Sequence, residues 1–69
     1  MKKRSLTIAG HRTSVALEQE FWDEIDALAK VQSLTLSQLI EQIDQNRDTE
    51  NLASALRLAV LRSLKRQQN

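Results

Sequence analysis

Cysteine, proline and tyrosine are absent from this 69-residue chain, and glycine, histidine, methionine, tryptophan and phenylalanine occur once each. Without cysteine there is no disulfide framework and no thiolate-rich metal site, and His11 cannot build a zinc site by itself. No metal and no cofactor are expected. Gly10 cannot make a glycine-rich phosphate loop, and one histidine with no cysteine leaves few parts for a catalytic centre, so the chain is not expected to be an enzyme. The longest strictly apolar run, Leu58-Ala59-Val60-Leu61, is far shorter than the roughly 20 residues of a membrane span. Polar, broken sequence follows Met1-Lys2-Lys3-Arg4, with no secretory signal visible. These features predict a soluble, cytoplasmic protein with no membrane contact. A chain this short buries a modest share of its surface, and small folds compensate with disulfides, a metal or a partner chain. Only the partner remains.

Charge is segregated although the net charge is +1. Lys2, Lys3, Arg4 and Arg12 occupy the first twelve residues without an acid, all nine acids lie between Glu18 and Glu50, and Arg57, Arg62, Lys65 and Arg66 close the chain without another. Two basic ends around an acidic middle suggest an anion-binding surface. They are equally consistent with a disordered basic terminus and with cations stabilising the end of a last helix.

No repeat or linker divides the chain, so residues 1–69 read as one domain. Residues 1–9 read as a basic arm and 11–17 as a strand of period two, with Thr13, Val15 and Leu17 on one face and Arg12, Ser14 and Ala16 on the other. Leu6 and Ile8 have the opposite parity from Val15 and Leu17, which predicts a break or bulge near Gly10. Phe21, Ile25, Leu28 and Ala29 follow helical spacing in a helix over 18–32 whose first turns are acidic. Thr35 and Gln38 form a capping box for a second helix over 35–45, with Leu36, Leu39, Ile40 and Ile43 on one face. A polar connection over 46–50 leads to a third helix over 51–66 capped by Asn51. That helix carries two apolar stripes: Leu52, Ala55, Leu56, Ala59 and Val60, and then Leu58, Leu61 and Leu64. One is assigned to the core and the other to a dimer contact. No second good strand is evident, and a lone strand leaves its backbone groups unpaired. Pairing it with the same strand of another copy about a two-fold axis predicts a homodimer.

The strand with its acidic first helix, Gly10-His11-Arg12-Thr13-Ser14-Val15-Ala16-Leu17-Glu18 followed by Phe21-Trp22, resembles the ribbon-helix-helix superfamily, to which the Arc and Met repressors belong. The block Asn51-Leu52-Ala53-Ser54-Ala55-Leu56-Arg57 with Val60-Leu61 extends the likeness, to a small one-domain bacterial subgroup, over about residues 5–64. The resemblance implies a mainly α fold: one N-terminal strand paired across a homodimer, two helices, and here an extra C-terminal helix. It implies a sequence-specific transcriptional regulator whose antiparallel ribbon enters the DNA major groove. Arg12, Ser14 and Ala16 would then face the bases. Thr13, Val15, Leu17, Phe21, Trp22, Ile25, Leu39, Ile40, Leu56 and Val60 would form the core and dimer contact. Phosphates would meet Thr35, Leu36 and Ser37 at the start of the second helix and a mobile Lys2, Lys3 and Arg4.

Arginine can bond guanine O6 and N7 together, serine discriminates weakly, and alanine touches only a thymine methyl. Many DNA-binding relatives carry a long polar or basic side chain where Ala16 stands. That departure and the acidic first helix favour an alternative: a dimeric adaptor or antitoxin-like module that keeps the fold and binds a protein partner. His11 reads as a surface histidine at a strand end. Asp23, Glu24 and Asp26 read as a solvated helix face rather than catalytic carboxylates. Trp22 reads as a packing residue, set against the partner's third helix.

Overall fold

The computed structural model of the chain describes residues 1–46 and 51–67. Its elements run β1 (Lys2–Ile8), β2 (His11–Leu17), α1 (Gln19–Val31), α2 (Leu36–Gln45) and α3 (Leu52–Gln67). The polar connection expected over 46–50 lies, beyond Asn46, outside the described residues.

The basic arm is replaced by a strand. β1 and β2 form a two-stranded antiparallel sheet in which Ile8 pairs with His11, Leu6 with Thr13, Arg4 with Val15 and Lys2 with Leu17. Ala9 (φ 52°) and Gly10 (φ 81°) fill the turn. Positive φ at both central residues is the signature of the type I′ hairpin turn, whose twist matches that of the strands it joins. A two-residue turn also explains the parity switch. It pairs even positions of β1 with odd positions of β2, so Leu6 and Ile8 share a face with Thr13, Val15 and Leu17. The irregularity expected near Gly10 is a full reversal of the chain, and the single unpaired strand becomes an intramolecular ribbon.

That shared face carries the core. Ile8, Val15 and Leu17 pack with Trp22, Ile25 and Ala29 of α1, Leu39 and Ile40 of α2, and Leu56 and Val60 of α3. Phe21 and Leu36 are half-buried against this cluster. Trp22 is fully buried within its own chain, not against a partner's helix. Its Nε1–H donates to the Lys2 carbonyl at 2.9 Å, and the Arg4 guanidinium lies 4.6 Å from its ring centroid. One tryptophan thus ties α1 to β1 through a satisfied polar tip and a cation–π contact.

Each helix end has an identifiable cause. α1 closes in a Schellman motif: Ser33 sits at φ 58°, its N–H donates to the Lys30 carbonyl at 3.1 Å, and the Leu34 N–H donates to that of Ala29 at 2.9 Å. α2 opens with the expected capping box. The Thr35 hydroxyl accepts from the Gln38 N–H at 3.1 Å, and the Thr35 N–H donates to Gln38 Oε1 at 2.9 Å. Asn51 Oδ1 accepts from the Ser54 N–H at the start of α3. The two stripes of α3 separate cleanly. Ala55, Leu56 and Val60 are buried, whereas Leu58, Leu61 and Leu64 are 37%, 48% and 37% exposed.

Candidate nucleic-acid interface

Because the helices cover one face of the hairpin, the other faces solvent. Strand alternation places Lys3, Ser5 and Thr7 of β1 there beside Arg12, Ser14 and Ala16 of β2. The register sorts them into three cross-strand pairs: Lys3 with Ala16, Ser5 with Ser14, and Thr7 with Arg12. Ala16 is half-covered and the other five are exposed. Ser5 Oγ and Ser14 Oγ stand 3.3 Å apart at the centre. The face therefore offers two cations toward opposite ends, the two serine hydroxyls between them, the Thr7 hydroxyl beside Arg12, and no carboxylate.

All the described acids belong to α2, α1 or the residue before it; neither strand contains one. Asp26 and Glu18 engage arginines. Asp26 accepts both terminal nitrogens of Arg4 at 3.0 and 3.2 Å. Glu18 holds Arg57 through Nε at 3.1 Å and Nη2 at 3.0 Å. Glu18 lies below the usual glutamate range, first because of a backbone hydrogen bond at its own residue and then because of Arg57. Arg4 and Arg57 are thereby fixed on the helical side, with Arg57 also 5.7 Å from the Phe21 ring centroid. Lys3 and Arg12 have no ion pair among the described residues, and they are the cations left on the solvent-facing sheet.

The expected base-facing residues Arg12, Ser14 and Ala16 are thus brought onto one surface. Of the expected phosphate contacts, Lys3 joins that surface. Arg4 points to the opposite side and is held by Asp26 and Trp22, so it is not part of a mobile arm. Lys2 lies at the open end of the hairpin. Thr35, Leu36 and Ser37 form the first turn of α2, apart from the sheet face. Its capping box occupies the Thr35 and Gln38 amides, while the Leu36 and Ser37 amides are first-turn donors with no intrahelical acceptor. Ser5 and Thr7 are additional face residues absent from the sequence reading. Their signal was the parity of Leu6 and Ile8: once those two turn inward, the residues between and before them turn outward.

A two-stranded antiparallel ribbon with a basic, hydroxyl-rich outer face suits a groove about 12 Å wide and rich in acceptors. No curated protein and no solved structure matches the chain. A family model described as ribbon-helix-helix domain matches residues 1–64. With nearly the whole chain inside that match, and with a ribbon followed by helices, the protein belongs to the ribbon-helix-helix domain family.

Proposed function

We propose that this protein is a sequence-specific DNA-binding transcriptional regulator of the bacterial cytoplasm, acting as a homodimer through its ribbon. The observation that carries the reading is the acid-free outer face of the hairpin, where Arg12, Lys3, Ser5, Ser14 and Thr7 stand together while the described acids lie elsewhere. Arg12 is the first candidate for a bidentate guanine contact. Lys2 and the Leu36 and Ser37 amides would meet phosphates, the latter by the affinity of a helix N-terminus for anions.

The hairpin changes the reason for a dimer. A ribbon built within one chain no longer needs a second copy to pair its strand. What supports the dimer instead is the family and the remaining edge of β2. In an antiparallel ladder the backbone groups of successive residues point alternately to the two sides. Those of His11, Thr13, Val15 and Leu17 serve β1, so Arg12, Ser14 and Ala16 direct theirs to the other edge. Pairing about a two-fold axis at Ser14 would use the full strand and make the two β2 strands the central ribbon of a four-stranded sheet, with two copies of Arg12, Ser14 and Ala16 on the two-stranded part that suits the groove.

Selection from a randomised duplex pool, followed by anisotropy titration at two salt concentrations, tests the reading. A palindromic motif is expected, with preference relaxed at one position per half-site in Arg12→Ala. If Arg12→Ala selects the same motif with the same affinity, the ribbon assignment is wrong. The exposed Leu58, Leu61 and Leu64 stripe favours a second reading, a dimeric protein-interaction module. A stoichiometric protein partner with no duplex binding at low salt would select it.

A further inference from the structure

The register points to Lys3 as a second base-reading residue, reaching over Ala16 from the neighbouring strand; we infer this on the basis of the DNA-binding reading above. Ala16 is too short to read more than a thymine methyl, and β2 alone therefore presents one cation to the groove. β1 supplies the other. Lys3 pairs directly with Ala16, and directly opposed residues of an antiparallel pair bring their Cβ atoms to about 5 Å. Both side chains stand on the outer face, and Lys3 is exposed with no carboxylate on either strand to hold it. The missing volume at Ala16 gives a flexible four-carbon stem room to lean across the ribbon.

The chemistry fits the groove floor. An ammonium carries three donors, and guanine O6 and N7 are the major-groove acceptors that lysine and arginine most often read. Ala16, and with it Lys3, lies four residues along β2 from Arg12. That is about 13 Å at the usual strand rise, or roughly three to four base pairs at the 3.4 Å spacing of successive base pairs. One hairpin thus reads two positions, one with Arg12 near the turn and one with Lys3 near the open end. Ser5, Ser14 and Thr7 lie between and beside them as weak discriminators. The assignment replaces the expected phosphate contact of a mobile Lys3 with a base contact from a fixed strand.

The experiment compares wild type, Lys3→Ala, Lys3→Arg, Arg12→Ala and, as a control on α3, Lys65→Ala. Each full-length protein is carried through selection on the randomised duplex pool and a salt titration on the wild-type motif. Lys3→Ala is expected to lose about ten-fold preference at one position, three to four base pairs from the position relaxed by Arg12→Ala. Lys3→Arg should retain a preference there, and Lys65→Ala should leave the motif intact. Circular dichroism on each variant checks that the fold persists. An unchanged motif in Lys3→Ala, with a salt slope shallower by about 0.9 for each phosphate no longer neutralised, makes Lys3 a phosphate ligand and overturns the inference. An unchanged motif and slope removes Lys3 from the interface altogether. Absence of duplex binding by wild type at low salt overturns the DNA-binding reading itself, and Lys3 falls with it.

Discussion

Side chains of one chemical type have been given different tasks by a single residue's displacement along a strand. Lys3 and Arg4 are sequence neighbours and both basic. Strand alternation sends Lys3 to the solvent-facing side and Arg4 inward, where Asp26 takes both its terminal nitrogens and the Trp22 ring lies against it. The ion pair is about two-fifths exposed, at 34% and 45% for the two side chains, and screening keeps such pairs weak. Its main effect is to hold the first strand over Trp22. Ala9 is the opposite case, a residue ill suited to its place. At φ 52° it occupies the left-handed region, where a Cβ costs roughly 1–2 kcal/mol. Asparagine tolerates that conformation, and Asn-Gly is the preferred pair for this turn. Ala9→Asn is therefore expected to raise stability by about 0.5–1 kcal/mol, read as a higher urea midpoint at constant slope. A lower midpoint would show that the turn is not the left-handed one described.

At the scale of elements, much was legible because the signals were local. The Thr35–Gln38 capping box, the Asn51 cap and the spacing of Phe21, Ile25, Leu28 and Ala29 each depend on contacts within four residues or a few more, and three helices follow the hairpin. The first strand was not legible in the same way. Lys2-Lys3-Arg4 reads as a solvated tail when each residue is judged alone, since nothing nearby says that Arg4 will meet Asp26 twenty-two residues later. Ala9-Gly10 is a weak hairpin signal beside Asn-Gly. The parity change across it was visible and was correctly placed near Gly10, but its meaning depends on pairing, a property of two strands together. The candidate face was legible by the same measure: Arg12, Ser14 and Ala16 follow from the period of one strand, whereas Ser5 and Thr7 require the register. In α3 the two stripes were seen, and only packing could show that the stripe containing Leu56 and Val60 is the buried one.

For the whole molecule, helices on one side of a ribbon keep the described acids away from the opposite, basic face. Glu18 and Arg57 help to hold this arrangement by tying the start of α1 to α3. The folded-state pKa of Glu18 is depressed, so its contribution to stability is present above the ordinary glutamate range, about 4.3 in the unfolded chain, and is lost as pH falls through the depressed value. Urea midpoints of wild type and Glu18→Gln should differ at pH 7, wild type being the more stable, and converge as pH drops below that range. A difference that persists undiminished in acid would mean that the Glu18 carboxylate charge contributes nothing. The functional reading is tested most directly by backbone amide shift mapping of the labelled protein during titration with a duplex carrying the selected motif, at low salt. The largest changes are expected at Lys3, Ser5, Thr7, Arg12 and Ser14, with a second group at Leu36 and Ser37. Changes confined to α3 around Leu58, Leu61 and Leu64, or no changes at all, would contradict a ribbon that reads DNA.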